Sequence, residues 1–188
     1  TLAELGHFYF GLTAVHNMAG EVYLIVDRVR SLYNVGSLFR TADAFGVKKI
    51  YLCGYTGTPP RQEISKVALG AEESMPWEKR GQTWKLVEEL QAQGIYVVAL
   101  EINHLGVARG FMPRQAAHKV PRYEPSVAIN SWHPKFPLAL VVGNEVNGVS
   151  RGVLSRADAI VYIPMLGQKE SLNVSVAAGI ALYAVRYF

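Results

Sequence analysis

Five polar residues of this chain stand where chemistry could be done. Asn34 and Arg40 lie in NVGSLFRTADAFG, Glu145 follows the glycine in LALVVGNEVNGVS, and Ser171 and Asn173 fall in IPMLGQKESLNVSVAAGIALY. A guanidinium such as that of Arg40 is always charged and suits phosphate or carboxylate recognition. Ser171 and Asn173 mark the entry to an otherwise almost wholly apolar segment. Small polar side chains there cap the free N–H groups of a first helical turn, and the same N–H groups can receive an anion or a ligand carbonyl. Taken singly, each residue also has a plain structural reading: an ordinary N-cap for Ser171, and a surface ion pair with Asp43 for Arg40.

The elements that must position these residues are legible as apolar runs. Val22 to Val26, Lys48 to Cys53, Ile95 to Leu100, Leu138 to Val142 and Ala159 to Ile163 read as five interior strands. Between the first two, Val35, Leu38, Phe39, Ala42 and Phe45 recur at helical spacing and Gly46 closes the segment. Gln62 to Leu69, Gln82 to Gln93 and Ser150 to Ala157 read as further helical stretches. Strand, helix and strand within one short span imply a parallel pair with a right-handed crossover. The class is therefore α/β, with a parallel sheet covered on both faces. Ligands in such sheets bind at the carboxyl ends of the strands, which is where the five polar residues fall. Thr1 to Gly20 reads as an amphipathic helical extension leading into the domain. Glu101 to Pro137 shows no sustained period, and Pro113, Pro121, Pro125, Pro134 and Pro137 punctuate it, so a long irregular connection of functional length is expected.

Composition narrows the classes. At 188 residues, half of them apolar, one globular domain is expected. No apolar run approaches the roughly 18 residues of a membrane span. The single cysteine, Cys53, lies within an apolar run, which excludes an intrachain disulfide and a thiolate metal cluster and implies a reducing, cytoplasmic setting without a secretory leader. No GxGxxG or GxxxxGK[ST] follows a strand, no GxSxG elbow is present, and the five histidines show no metal spacing. The net charge is +4, equal to the balance of Arg109, Arg114, Lys119, Arg122 and Lys135 over Glu124 within one loop-like segment. This is compatible with a polyanionic partner.

Together the three quoted stretches resemble the SpoU (TrmH-type) branch of the SPOUT RNA methyltransferases, over roughly Val22 to Tyr183. The resemblance implies a Rossmann-like SPOUT fold with a C-terminal deep trefoil knot over residues 21–188, a basic insertion at about 103–137, and a homodimer whose site draws on both subunits. It implies methyl transfer from S-adenosyl-L-methionine to a ribose 2′-hydroxyl of tRNA or rRNA, with no metal and no membrane. The alternative is a non-catalytic knotted RNA-binding dimer that retains the donor. By the resemblance, Asn34, Arg40, Glu145, Ser171 and Asn173 form the catalytic set, and Gly143, Ile163, Leu172, Leu100 and Met165 hold the donor. Because a guanidinium stays charged, Arg40 is assigned to anchor the adjacent phosphate and lower the hydroxyl pKa, with Asn34 and Glu145 holding Arg40 and the loops. Arg114, Lys119 and Arg122 are expected to contact RNA phosphates, with Trp132 or Tyr123 available for stacking; a solvated insertion or dimer-packing arm is the alternative. Val146 departs from the glycine common at its position and would be strained if its backbone needed positive φ. Dimerisation has separate support in Val174 to Phe188, apolar nearly all round.

Overall fold

The computed structural model of the chain describes residues 20–102 and 126–188. The expected N-terminal helix, and Arg114, Lys119, Arg122 and Tyr123, lie outside the described residues.

Seven strands form one fully parallel sheet: β1 (Val22–Asp27), β2 (Lys49–Cys53), β3 (Trp77–Arg80), β4 (Tyr96–Leu100), β5 (Val127–Ala128), β6 (Leu138–Val142) and β7 (Ala159–Tyr162). Their spatial order is β3-β2-β1-β6-β4-β7-β5. The central strands are buried along their length because alternate residues serve two different apolar layers. In β1, Val22, Leu24 and Val26 face one layer and Tyr23 and Ile25 the other. The first layer is closed by α1 (Leu32–Ala44), α2 (Gln62–Ala68), α3 (Ala71–Ser74) and α6 (Val174–Tyr187), the second by α4 (Thr83–Ala92) and α5 (Arg151–Leu154).

All five expected strands and the class are present, but β3 and β5 were not expected. Neither advertises itself. Residues 77–80 read WEKR on the sheet edge, where Lys49 pairs with Glu78 at 2.6 Å, and β5 is two residues long inside the irregular connection. The helix starts are set by caps. Ser31 caps α1: its side chain accepts from the Asn34 N–H at 3.3 Å, so the helix begins at Leu32. At α6 the cap is Asn173, whose Oδ1 accepts from the Ser175 N–H at 2.9 Å, so Ser171 stands outside the helix.

The ends of α1 and α6 are locked together by Arg186. Its guanidinium donates to the carbonyls of Phe45 (2.8 Å) and Gly46 (2.6 Å), acceptors at the end of α1 that have no partner within the helix, and to that of Gly20 (2.9 Å) just before β1. At the other side of α1, Gly36 is buried against α2, and a Cβ there would come within 2.5 Å of the Ile64 carbonyl oxygen. Gly36→Ala would gain about 1 kcal/mol of helix propensity but incur overpacking of roughly 1–3 kcal/mol against backbone. A net destabilisation is expected, measured as a lower urea midpoint with an unchanged slope.

Candidate active site

The carboxyl ends of β1, β4, β6 and β7 meet on one edge, and their loops build the site. The central piece is the turn after β6. Gly143 is obligatory there, since a Cβ would sit 2.2 Å from Gly148 C and Val149 N. Asn144 and Gly148 exchange backbone hydrogen bonds of 3.0 and 2.9 Å, and the positive φ that closes the turn falls on Gly148 (φ 65). Val146 is not among the positive-φ residues and is 80% exposed, so the strain expected of a valine there is not incurred. Asn144 is buried and fixes the turn: its Oδ1 accepts from Val146 and Asn147 N–H, each at 2.9 Å, while its Nδ2 donates to the Arg28 carbonyl at 2.9 Å and the Tyr55 hydroxyl at 3.1 Å.

Glu145, carried outward by this turn, binds the start of α1. Its carboxylate accepts from the backbone N–H of Arg30 and Ser31, each at 3.2 Å, and from Asn34 Nδ2 at 3.0 Å. Asn34 Oδ1 in turn accepts from Asn173 Nδ2 at 3.0 Å, and Asn173 Oδ1 also takes the Ser175 hydroxyl at 2.7 Å. One polar chain, Glu145 to Asn34 to Asn173, therefore joins three stretches far apart in sequence. Ser171 stands beside it at the mouth of a cavity.

That cavity, about 170 Å³, has apolar walls from Leu100, Val142, Ile163, Met165, Leu172 and Val174 and an open backbone at Gly143. All five residues assigned to the donor line it, as do Ser171 and the carboxylate-bearing Glu101, Glu145 and Glu170. Arg40 does not. It lies in a separate groove between α1 and α6, with Phe45, Val176 and Ile180, and among the described residues it makes no hydrogen bond or ion pair, with Asp43 or otherwise. Within one protomer Asn34 and Glu145 hold the loop at the entry to α1, as expected of them, and do not touch Arg40. Trp132 is packed partly buried against the main core and does not line the cavity, and Lys135 lies over the Tyr96 ring at the opposite, amino end of β4.

Three positioning residues were not singled out from the sequence. Asn144 has been described. Asp27 is fully buried at the end of β1 and accepts from Thr83 Oγ1 at 2.5 Å and Ser150 N–H at 2.8 Å, tying α4 and α5 to the sheet edge. Glu101 at the end of β4 accepts from Val149 N–H at 2.8 Å, its carboxylate filling the space above Gly148. Their signal was a charged or amide residue directly after an apolar run, which by itself does not separate a ligand contact from a strand terminator. Cys53 is no nucleophile: burial, with the Asp27 charge added, pushes its thiol up to about 12.

A profile of the SpoU rRNA methylase family matches residues 21–183. Among curated proteins, the chain is 30% identical over 163 residues to the TrmH-family protein YacO of Bacillus subtilis, covering 87% of this chain and 57% of that one. It is 34% identical over 169 residues to the 23S rRNA (guanosine-2′-O-)-methyltransferase RlmB of Vibrio vulnificus, covering 89% and 60%. The chain thus spans somewhat more than half the length of these relatives. Among solved structures, an AdoMet-bound rRNA methyltransferase from Sinorhizobium meliloti superposes with a TM-score of 0.73 at 29% identity, covering 89% of this chain and 56% of that one. A TrmH/SpoU tRNA modifying enzyme of A. aeolicus gives 0.72 at 28%, covering 89% and 74%.

Burial opposes ionisation of Glu145, but donation from Asn34 and from the backbone N–H groups of Glu145, Arg30 and Ser31 outweighs it and holds the carboxyl below its ordinary value of 4.5. A carboxyl depressed in the folded state stabilises fully above the unfolded pKa and ceases to do so as pH falls through the folded value. The stability difference between the natural chain and Glu145→Gln should therefore be largest near neutrality and shrink below about pH 4.5, read from urea midpoints across pH.

Proposed function

Since the chain belongs to the SpoU rRNA methylase family, we propose that it transfers a methyl group from S-adenosyl-L-methionine to a ribose 2′-hydroxyl of tRNA or rRNA. The observation that carries this reading is the meeting, on one sheet edge, of the donor-lining cavity with the Glu145–Asn34–Asn173 chain and Ser171. The cavity suits the donor chemically. Its apolar walls and the open backbone at Gly143 fit a flat heteroaromatic ring, and three carboxylates on its lining complement a cationic group. Leu100, Gly143, Ile163, Met165 and Leu172 would hold the donor, which when bound supplies an electrophilic methyl on a sulfonium. The chain's own task is to align a weakly acidic hydroxyl and to stabilise the negative charge that develops on its oxygen. Asn34, Asn173 and Ser171 orient the reacting groups, Glu145 sets Asn34, and Arg40 supplies the cation.

Arg40 reaches the reaction through a homodimer. Val176, Ile180, Tyr183 and Tyr187 leave an apolar face of α6 exposed beside the Arg40 groove, and burying that face against a second copy would bring Arg40 and the polar chain into one shared site. A deep trefoil knot is the matching chain path. In its support, β5, which falls between β4 and β6 in the chain, pairs with β7 on the side away from β4, while β6 pairs with β4 on its other side. Ile129 of that segment packs in the same core as Val174 and Ala178 of α6. Residues 21–188 act as the methyltransferase domain in the cytoplasm, residues 1–20 as an extension, and Arg114, Lys119 and Arg122 as RNA-phosphate contacts.

Transfer of labelled methyl from donor into bulk tRNA or rRNA tests the reading. Arg40→Ala should lower kcat by roughly 100-fold or more, in line with loss of one charge-stabilising group, and leave donor affinity intact because Arg40 does not line the cavity. Gly143→Ala should do the reverse and abolish donor binding, read by calorimetry. Donor binding with no incorporation into either RNA pool by the unaltered chain would instead favour a non-catalytic RNA-binding dimer.

A further inference from the structure

Arg30 and Tyr55 are absorbed by none of the roles above. Arg30 stands in the loop after β1 and Tyr55 in the loop after β2, adjacent strands whose carboxyl ends open on the active-site edge. The Arg30 guanidinium lies over the Tyr55 ring, 5.8 Å from its centroid, and among the described residues it has no carboxylate partner. Tyr55 is 52% exposed. A cation and an aromatic ring kept at the surface together present what a single-stranded nucleic acid binds: a π face for a base and a charge for its phosphate.

What separates this pair from an ordinary surface contact is how it is held. The Tyr55 hydroxyl accepts from Asn144 Nδ2 at 3.1 Å, and the Arg30 backbone N–H donates to Glu145 at 3.2 Å. Both anchors belong to the turn that carries Glu145 to Asn34 and lines the donor cavity. The pair is thus fixed relative to the reacting groups by two short links, and little ordering remains to be done when a strand settles on it.

We propose that Arg30 and Tyr55 form a stacking and phosphate platform for the RNA residue flanking the methylated nucleotide, setting the register of the strand against the Asn34–Asn173 pair. This rests on the RNA methyltransferase reading. The pair acts on binding and placement of RNA; it does not touch the transferred methyl.

The experiment measures binding of bulk tRNA and bulk rRNA across salt concentrations, and S-adenosylmethionine affinity by calorimetry, for the natural chain and for Tyr55→Ala, Tyr55→Phe and Arg30→Ala. Tyr55→Ala should weaken RNA binding roughly tenfold through loss of one stacked base, and Tyr55→Phe, which keeps the ring but loses the Asn144 link, should fall between it and the natural chain. Arg30→Ala should reduce the slope of log affinity against log salt by about 0.7, the loss of one phosphate contact on a single strand. With RNA as the varied substrate, the defects should fall on KM more than on kcat. The proposal is overturned if all three variants bind RNA as the natural chain does. It is equally overturned if Tyr55→Phe is as weak as Tyr55→Ala with donor affinity falling in step, because the pair then merely props the Asn144 turn. A natural chain that binds donor but neither RNA pool overturns the RNA methyltransferase reading as well, whereas RNA binding and methylation with unaffected variants overturn the platform alone.

Discussion

The site depends on one carboxylate reaching across the sheet edge. Glu145 leaves the turn after β6 and takes three N–H groups at the beginning of α1, two from backbone and one from Asn34. Ionised acceptors make the stronger hydrogen bonds, and these are made at the end of a helix whose first donors have no intrahelical partner. The interaction therefore does two things at once. It completes the capping that Ser31 begins, and it turns the Asn34 amide so that its oxygen is left for Asn173. Without a charge at position 145, the turn after β6 would lose its hold on the start of α1, and the Asn34 amide would lose the acceptor that turns its oxygen toward Asn173.

Such a reach is possible because the turn carrying Glu145 is itself rigid. Asn144 contributes its whole amide to neighbouring backbone and to Tyr55, and Glu101 fills the space over Gly148, where a side chain would collide. Below them Asp27, a fully buried charge, receives a hydroxyl and a backbone N–H and has the Arg28 Nε at 3.4 Å. A buried carboxylate of this kind survives only when its acceptor capacity is met, so Asp27 fixes the geometry of the three elements that meet it. The sheet edge thus has a buried polar base in Asp27 and Asn144 beneath the exposed Glu145–Asn34–Asn173 chain, and the cavity is the gap left between its loops.

The fold was legible where burial was two-sided. Five strands lie in the sheet interior, and their uninterrupted apolar runs could be read directly; β3 and β5 are edge strands whose residues need not be apolar, and they left no such signature. The polar set was legible as a set of strand-end residues, but its internal wiring was not. Nothing in the spacing says that Asn34 turns toward Asn173 while Arg40, six residues later on the same helix, faces a different groove. Helical geometry explains this afterwards: six residues are about one and two-thirds turns, which carries Arg40 well round the axis from Asn34. The cap of α6 was misplaced for a related reason. Ser171 and Asn173 are both competent caps by type, and only the backbone path decides which of them meets a free N–H.

The separation of Arg40 and the exposed face of α6 are aspects of one arrangement. Val174, Ala178, Ala181, Leu182 and Val185 bury one side of α6 against the core, and small residues there let it lie close to α1, where Gly179 would place a Cβ only 3.6 Å from the Thr41 methyl. The other side carries Val176, Ile180, Tyr183 and Tyr187, too apolar for a surface that faces only water, and Arg186 uses its guanidinium on backbone carbonyls instead of solvating that face. A lone protomer would thus hold a cavity and a polar chain on one side of α6, and on the other an apolar strip and a guanidinium that is unpaired among the described residues. A second copy on the strip would cover it and bring its own polar chain toward Arg40, which is why the proposed catalytic role of Arg40 and the proposed dimer stand or fall as a single idea.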